Sequence, residues 1–341
     1  MDRLKEKLLS EHLLVFVFCL AVIFSPALAT LFEYDLSKFP DCKTYLGLAQ
    51  FDFNQSPVRA YRVIIPFAAA GLNFLFGGIF AKLAPAYFIG NYSLPFSFFM
   101  INITLTAYFG LLIYRYCKAF GIDKLSAIIG TLAMLTCRYT VYTAALPLVD
   151  SLFCVVVMLT LLGIKLKNTN MLLCAIFLGP FAKESFIFLA PLIFFFSHLD
   201  KKRLLLYFLC SAILVLVSRY IYEVAVLKNI SGGFIADLHH LPNLVRNLPK
   251  LFSFYTLGKI MMNTGFWAIA PILVLFIKRG WGREVLTKLD NWLIWFIVAI
   301  FLQMLLSGSM ERMFYLAMPV ICVIVALAVA ELRKLYLPAL G

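Results

Sequence analysis

The chain has 341 residues, 63% hydrophobic and only 14% charged, with 30 Lys plus Arg against 17 Asp plus Glu. A soluble domain is about half apolar and about a quarter charged, so this composition excludes an ordinary soluble protein. It also removes nucleic acid as the meaning of the +13 net charge, because the basic residues stand in short clusters between apolar runs, the positive-inside pattern of membrane proteins.

The first segment, "MDRLKEKLLSEH" followed by "LLVFVFCLAVIFSPALA", has the form of a signal peptide, with Ala27 and Ala29 at an AxA-like site. The apolar run continues through Leu31, so the segment reads as an uncleaved first span. Spans of about 20 apolar residues cross a bilayer. On that measure the candidates are 13–31, 63–81, 95–116, 125–146, 148–164, 171–182, 185–197, 204–222, 264–277, 292–306 and 313–330. The segments 171–182 and 185–197 are too short to span comfortably and predict a broken hairpin with Lys183 and Glu184 at its tip. The prediction is a single integral membrane domain over 1–341: an all-α polytopic transmembrane helix bundle of about 10 or 11 hydrophobic segments.

The clusters Arg115/Lys118/Lys124, Lys165/Lys167, Lys201/Lys202/Arg203, Lys278/Arg279/Arg283 and Arg333/Lys334 go to the cytoplasm with the N-terminal Arg3, Lys5 and Lys7. Two segments then separate each consecutive pair from Arg115 onward. Three separate Lys7 from Arg115, which does not close. The segment 63–81, with Pro66, Gly71, Gly77 and Gly78, is therefore expected to be a bent re-entrant or juxtamembrane helix; the alternative is a full span with one weaker cluster outside. The loops 32–62 and 223–263 fall outside the cytoplasm.

That outer face mixes acids and bases, and charge beside hydrocarbon is costly unless it lines a cavity and works. Glu33 and Asp35 form an acidic-x-acidic "EYD", followed by Asp41 and Tyr45. Such carboxylates serve as a general base or hold a divalent ion, or simply solvate a loop. Asp41 and Tyr45, four apart, share a helix face, with Leu46 and Leu48 expected in lipid. Arg59, Tyr61 and Arg62 in "SPVRAYRVIIPF" are suited to grip a phosphate or to anchor the interface. Asp150 in "AALPLVDSLF" reads as a helix N-cap that also lines a site. Lys183 and Glu184 in "GPFAKESFIFLAP" are an internal ion pair or a phosphate contact. Glu311 and Arg312 in "SGSMERMFYLAMP" occupy a tight external turn. His239–His240 and the eight scattered cysteines have no metal-ligand spacing.

Taken together, these motifs resemble the GT-C glycosyltransferases, multi-pass enzymes that use polyprenyl-phosphate sugars. The resemblance rests on "DCKTYLGLA" (41–49) after the acidic first external loop, "YRVIIPF" (61–67), "PLVDSLF" (147–153), "FAKES" (181–185) and "MERMFYLAMP" (310–319). It implies a GT-C-like bundle with a lipid-linked sugar donor, a glycan, lipid or protein acceptor, contact with membrane lipids and no nucleic acid. Catalysis would take place outside the cytoplasm, with the N-terminus inside. A loop carboxylate, Asp41 first and Asp35 second, would deprotonate the acceptor hydroxyl. Arg59, Arg62, Lys183 and Arg312 would neutralise the leaving lipid phosphate. Glu33, Tyr45, Tyr61, Asp150, Glu184 and Glu311 would complete the substrate site. GT-C enzymes vary in metal dependence; a divalent ion is compatible with this chemistry, although no residues spell a metal cage. The rival is a transporter or lipid flippase with Asp150 and Lys183–Glu184 as coupling residues at a broken helix.

Overall fold

The apolar runs fold as helices, the only way besides a closed barrel to satisfy backbone hydrogen bonds in hydrocarbon. The computed structural model describes residues 2–55, 57–83, 92–224, 241–251 and 253–336, and among these every regular element is helical. The first elements are α1 (Asp2–Glu33), α2 (Pro40–Ala49), α3 (Pro57–Ala60), α4 (Ile64–Leu83) and α5 (Ser93–Ala119). They are followed by α6 (Lys124–Leu135), α7 (Arg138–Ala145), α8 (Asp150–Lys165), α9 (Thr169–Ala182), α10 (Ala190–Phe196) and α11 (Lys201–Tyr222). The remainder is α12 (Leu241–Leu251), α13 (Phe254–Thr264), α14 (Ile269–Ile277), α15 (Trp281–Lys288), α16 (Trp292–Leu306), α17 (Met310–Phe314) and α18 (Met318–Tyr336).

Six helical stretches are long and apolar enough to cross a membrane: Leu9–Glu33, Ile64–Lys82, Ser93–Ala119, Lys201–Tyr222, Phe254–Ile277 and Met310–Tyr336. Two bent pairs, α6–α7 at 66° and α15–α16 at 94°, raise the number to eight if each counts as one span. The expected 125–146 span is therefore bent at Thr136–Cys137. The Thr140 hydroxyl steadies the bend by donating to the Met134 carbonyl, which also accepts from the Cys137 N–H at 3.0 Å. The expected 264–277 span starts earlier, at Phe254, which shortens the loop expected before it. Segment 63–81 is not bent: α4 is one continuous helix, with Pro66 in its first turns, where a missing N–H costs little.

The core is built on α5, α8 and α18, which bury more residues than any other described helix. The first and fifth helices run antiparallel. Glu11 accepts a hydrogen bond from Tyr114 at one end, while at the other Phe24 meets Phe99 at 5.7 Å and Phe32 meets Tyr92 at 6.4 Å. The chain thus leaves α1 and enters α5 at the same end, so α4 alone does not carry it across.

At the opposite end from Tyr92, the basic clusters meet scattered acids: Arg333–Asp123 at 2.7 Å, Lys165–Asp290 at 2.9 Å, Lys278–Glu331 at 2.8 Å and Lys124–Glu11 at 3.7 Å. The α9–α10 hairpin is closed there by Thr169 and His198, 3.1 Å apart. Its tip, Lys183–Glu184, reaches the other end of the bundle.

Candidate functional site

At the Tyr92 end, four separate breaks in the helices converge. The first is α2. Proline at its start fixes the entry angle, and the helix turns Asp41, Tyr45 and Leu48 to one buried face. Spacings of four and seven residues amount to one and two helical turns. Leu48 therefore packs inward beside Asp41 and Tyr45 rather than lying in lipid, which corrects the expected orientation.

The second break is Leu146–Val149. The Asn102 side chain, wholly buried in α5, donates to the Leu146 and Leu148 carbonyls at 2.9 and 3.0 Å and accepts from the Ser151 hydroxyl at 2.6 Å. This pins the non-helical link and aims Asp150. Val149, not Asp150, is the cap of α8. The Asp150 carboxylate is left to bind cations, and the expected N-cap role is not adopted.

The third is the hairpin tip. Gly179 lies so close to Phe186 that a Cβ there would come within 2.2 Å of the ring. Only glycine lets the two arms meet, and Lys183 leaves the helix in extended conformation. Lys183 and Glu184 do not pair with each other; they point to different partners. The fourth break is Ser307–Ser309. Arg312 sits beyond it, in the first turn of the last span rather than in the loop itself. The carbonyls of Leu305 and Ser307 before this break accept from Asn247 on α12, at 3.0 and 2.6 Å.

The charged side chains from these breaks form one network. Asp41 binds Arg59 through Oδ1 at 2.6 Å and Arg312 through Oδ2. Arg312 also holds Asp150, whose other oxygen takes Lys183 Nζ at 2.9 Å. Beside it Arg62 grips Glu184 through Nε and Nη2 at 2.9–3.1 Å and donates to the Tyr45 phenol at 3.0 Å. Asp41, Asp150 and Lys183 are all at least nine-tenths buried. Burial also pushes the Tyr45 phenol up from its ordinary range. Among the described residues the network sets three carboxylates (Asp41, Asp150, Glu184) against four cations (Arg59, Arg62, Lys183, Arg312). That leaves one positive charge in excess, and buried charge persists only where it is paired or awaits an opposite charge.

Other expected site residues stand apart. Glu33 is exposed at the end of α1. Asp35 is exposed and caps a turn of 3-10 helix, accepting from the Ser37 N–H at 3.1 Å and the Ser37 hydroxyl at 2.6 Å. Those hydrogen bonds hold its carboxyl below the usual range. Glu311 faces away from Asp150, pairing with Lys259 at 2.9 Å. Tyr61 donates to Glu223 and carries the Arg219 guanidinium 4.6 Å above its ring. His239 and His240 lie outside the described residues. Among the described residues no three His, Cys, Asp or Glu side chains converge as a metal-holding group.

A narrow groove opens between the end of α9 and α11, lined by Tyr61, Val63, Phe181, Val215, Arg219 and Tyr222. Tyr61 and Val63 flank Arg62, and Phe181 precedes Lys183 by two residues. Sequence reasoning missed Asn102, Asn247 and Arg219. An Asn inside an apolar helix was the one available signal for the first. No family model, curated protein or solved structure matches this chain.

Proposed function

We propose that this protein is a membrane glycosyltransferase of GT-C type. It moves a sugar from an isoprenoid-phosphate donor to an acceptor on the extracytoplasmic face. The observation that carries the reading is the joining of Asp41, from the first external segment, to Arg59, Arg312, Asp150 and Lys183 in one buried network with excess positive charge. A carboxylate beside several fixed cations suits a reaction in which a hydroxyl loses a proton while a phosphate leaves. The groove lined by Tyr61, Val63 and Phe181, chain neighbours of Arg62 and Lys183, supports a lipid-borne donor, because α11 on its other side is one of the least buried helices of the bundle.

In this reading Asp41 takes the acceptor proton. The acceptor oxygen bonds to the anomeric carbon as the bond from that carbon to the phosphate oxygen breaks, and the departing electron pair stays on the phosphate. Arg312 and Lys183 set the charge around it, and Arg62 with Glu184 braces the wall. The test is transfer of radiolabelled sugar from a polyprenyl-phosphate donor in membranes containing the protein. No transfer above membranes carrying Asp41→Asn rejects the proposal. A second reading, a transporter or flippase, draws on the Lys183–Asp150 pair at a helix break, and substrate flux in proteoliposomes that stops in Asp150→Asn would establish it.

A further inference from the structure

The proposed base is covered as it stands. Both Asp41 oxygens are held, one by Arg59 and one by Arg312. Each carboxylate oxygen keeps a second lone-pair site, but Asp41 is at least nine-tenths buried with a guanidinium against each oxygen, so an acceptor hydroxyl needs one of the two to give way. The two guanidiniums are not equivalent. Arg312 is also fixed by Asp150, on a helical turn in the bundle. Arg59 is carried by the four-residue α3 and is the most exposed cation of the network, with 33% of its side chain exposed against 19% for Arg312, 13% for Arg62 and 7% for Lys183. Arg62, three residues on, is fixed by both Glu184 and Tyr45. The remaining titratable groups near Asp41 are the Tyr45 phenol and the Cys42 thiol of its own helix, with Asp150 and Lys183 beyond Arg312.

Resting on the glycosyltransferase reading, we propose that Arg59 is an exchangeable latch: the donor's phosphate draws its guanidinium off Asp41, and that exchange frees the base. One movement then does two things. It supplies a bidentate contact to the phosphate, and it opens Asp41 Oδ1 to the acceptor hydroxyl. During transfer the proton goes to Oδ1 while the new negative charge on the leaving phosphate is met by Arg59. When the lipid phosphate departs, Asp41 releases the proton to water and Arg59 returns. Arg59 is a positioning residue toward Asp41, and a donor without a phosphate leaves the latch shut.

The exchange has an unusual consequence. Breaking the Arg59–Asp41 pair opposes phosphate binding, so removing the base should improve it. The experiment is equilibrium binding of a polyprenyl phosphate to the full chain in nanodiscs, with the polyprenol of the same length as the phosphate-free control. Asp41→Asn should bind the polyprenyl phosphate about fivefold tighter than wild type, the worth of a partly exposed ion pair. Arg59→Gln should bind it more weakly, with polyprenol binding unchanged. The double variant should match Arg59→Gln. Unchanged or weaker binding by Asp41→Asn overturns the latch, as does Arg59→Gln binding like wild type. Tightening that survives in the double variant gives the role to Arg312 and overturns it too. If Asp41→Asn does not fold, Asp41→Ala takes its place, and the Arg59→Gln arm stands alone. A wild-type protein with no preference for the phosphate over the polyprenol rejects the donor reading itself, a different outcome from a preference that Asp41→Asn leaves unmoved.

Discussion

Asp41 and Asp150 share a single guanidinium, that of Arg312. One carboxylate comes from a short helix after the first span and the other from the start of a buried helix in the middle of the chain, and the cation joining them arrives near the end. Removing that cation leaves Asp41 with Arg59 and Asp150 with Lys183, each acid short of one partner. Arg312→Gln should destabilise the protein by about 1–3 kcal/mol, the cost of buried polar atoms left without a donor while each acid keeps its other cation. Thermal unfolding in detergent measures this; a melting temperature equal to wild type would mean the bridge carries no load.

The loop carboxylates should separate cleanly in activity. Asp41→Asn should lose about 10²–10⁴-fold in kcat, the contribution of a general base. Asp35→Asn and Glu33→Gln should stay near wild type, because Asp35 is spent on Ser37 and Glu33 lies at an exposed helix end. A dead Asp35→Asn beside an active Asp41→Asn would move the base to Asp35. Full activity in all three would sink the loop-carboxylate mechanism.

Arg62 and Glu184 offer a test of pairing. Arg62→Met alone leaves Glu184 without its guanidinium and should cost about 3–5 kcal/mol, while the double change Arg62→Met/Glu184→Met removes both charges and should recover most of that loss. Thermal unfolding of the three proteins gives the coupling directly. Simple additivity would show that the bidentate contact contributes nothing to the fold.

Asn102 touches no proposed substrate, yet Asn102→Leu should lower activity and stability together. It strips the Leu146 and Leu148 carbonyls and the Ser151 hydroxyl of their partner, at about 1–3 kcal/mol for buried groups left unpaired. The readout is activity per folded molecule. A destabilised variant with unchanged specific activity would separate Asn102 from the aim of Asp150.

Sidedness is open to chemical labelling. Ser37→Cys, in a background lacking the exposed Cys174 and Cys210, should react with an impermeant thiol reagent in intact cells. Labelling only after permeabilisation would invert the proposed orientation.

Much of this was legible before any coordinates. The apolar runs mark the helices because their length is a direct physical requirement. The hairpin with Lys183 and Glu184 at its tip follows from two runs too short to span, separated by charge. Placing every break at one face brings Asp41, Arg59, Asp150, Lys183 and Arg312 to the same end of the bundle, but it brings Glu33, Asp35 and Glu311 there equally, and these stand apart from the network. What the sequence did not carry was direction. Lys183 and Glu184 are neighbours in the chain, so pairing them was the natural reading. The extended residue at the break turns them to different partners. Asp150 looked like a cap because nothing local says that Val149 takes that position. The bend at Thr136–Cys137 has no proline or glycine to announce it, and depends on a threonine hydroxyl reaching back to Met134.

The bridge at Arg312 also bears on how the protein is made. A ribosome delivers Asp41 and Arg59 first, then Asp150, then Lys183, and Arg312 after all of them. Until then Asp41 has one cation and Asp150 has the other, as two separate neutral couples that the membrane tolerates. Arg312 is the later arrival that ties them together, so the finished arrangement waits for the helix that carries it. A chain halted after Ser307 would keep most of its spans and still lack the clasp, which makes its lifetime in the membrane a measure of what the last helix secures.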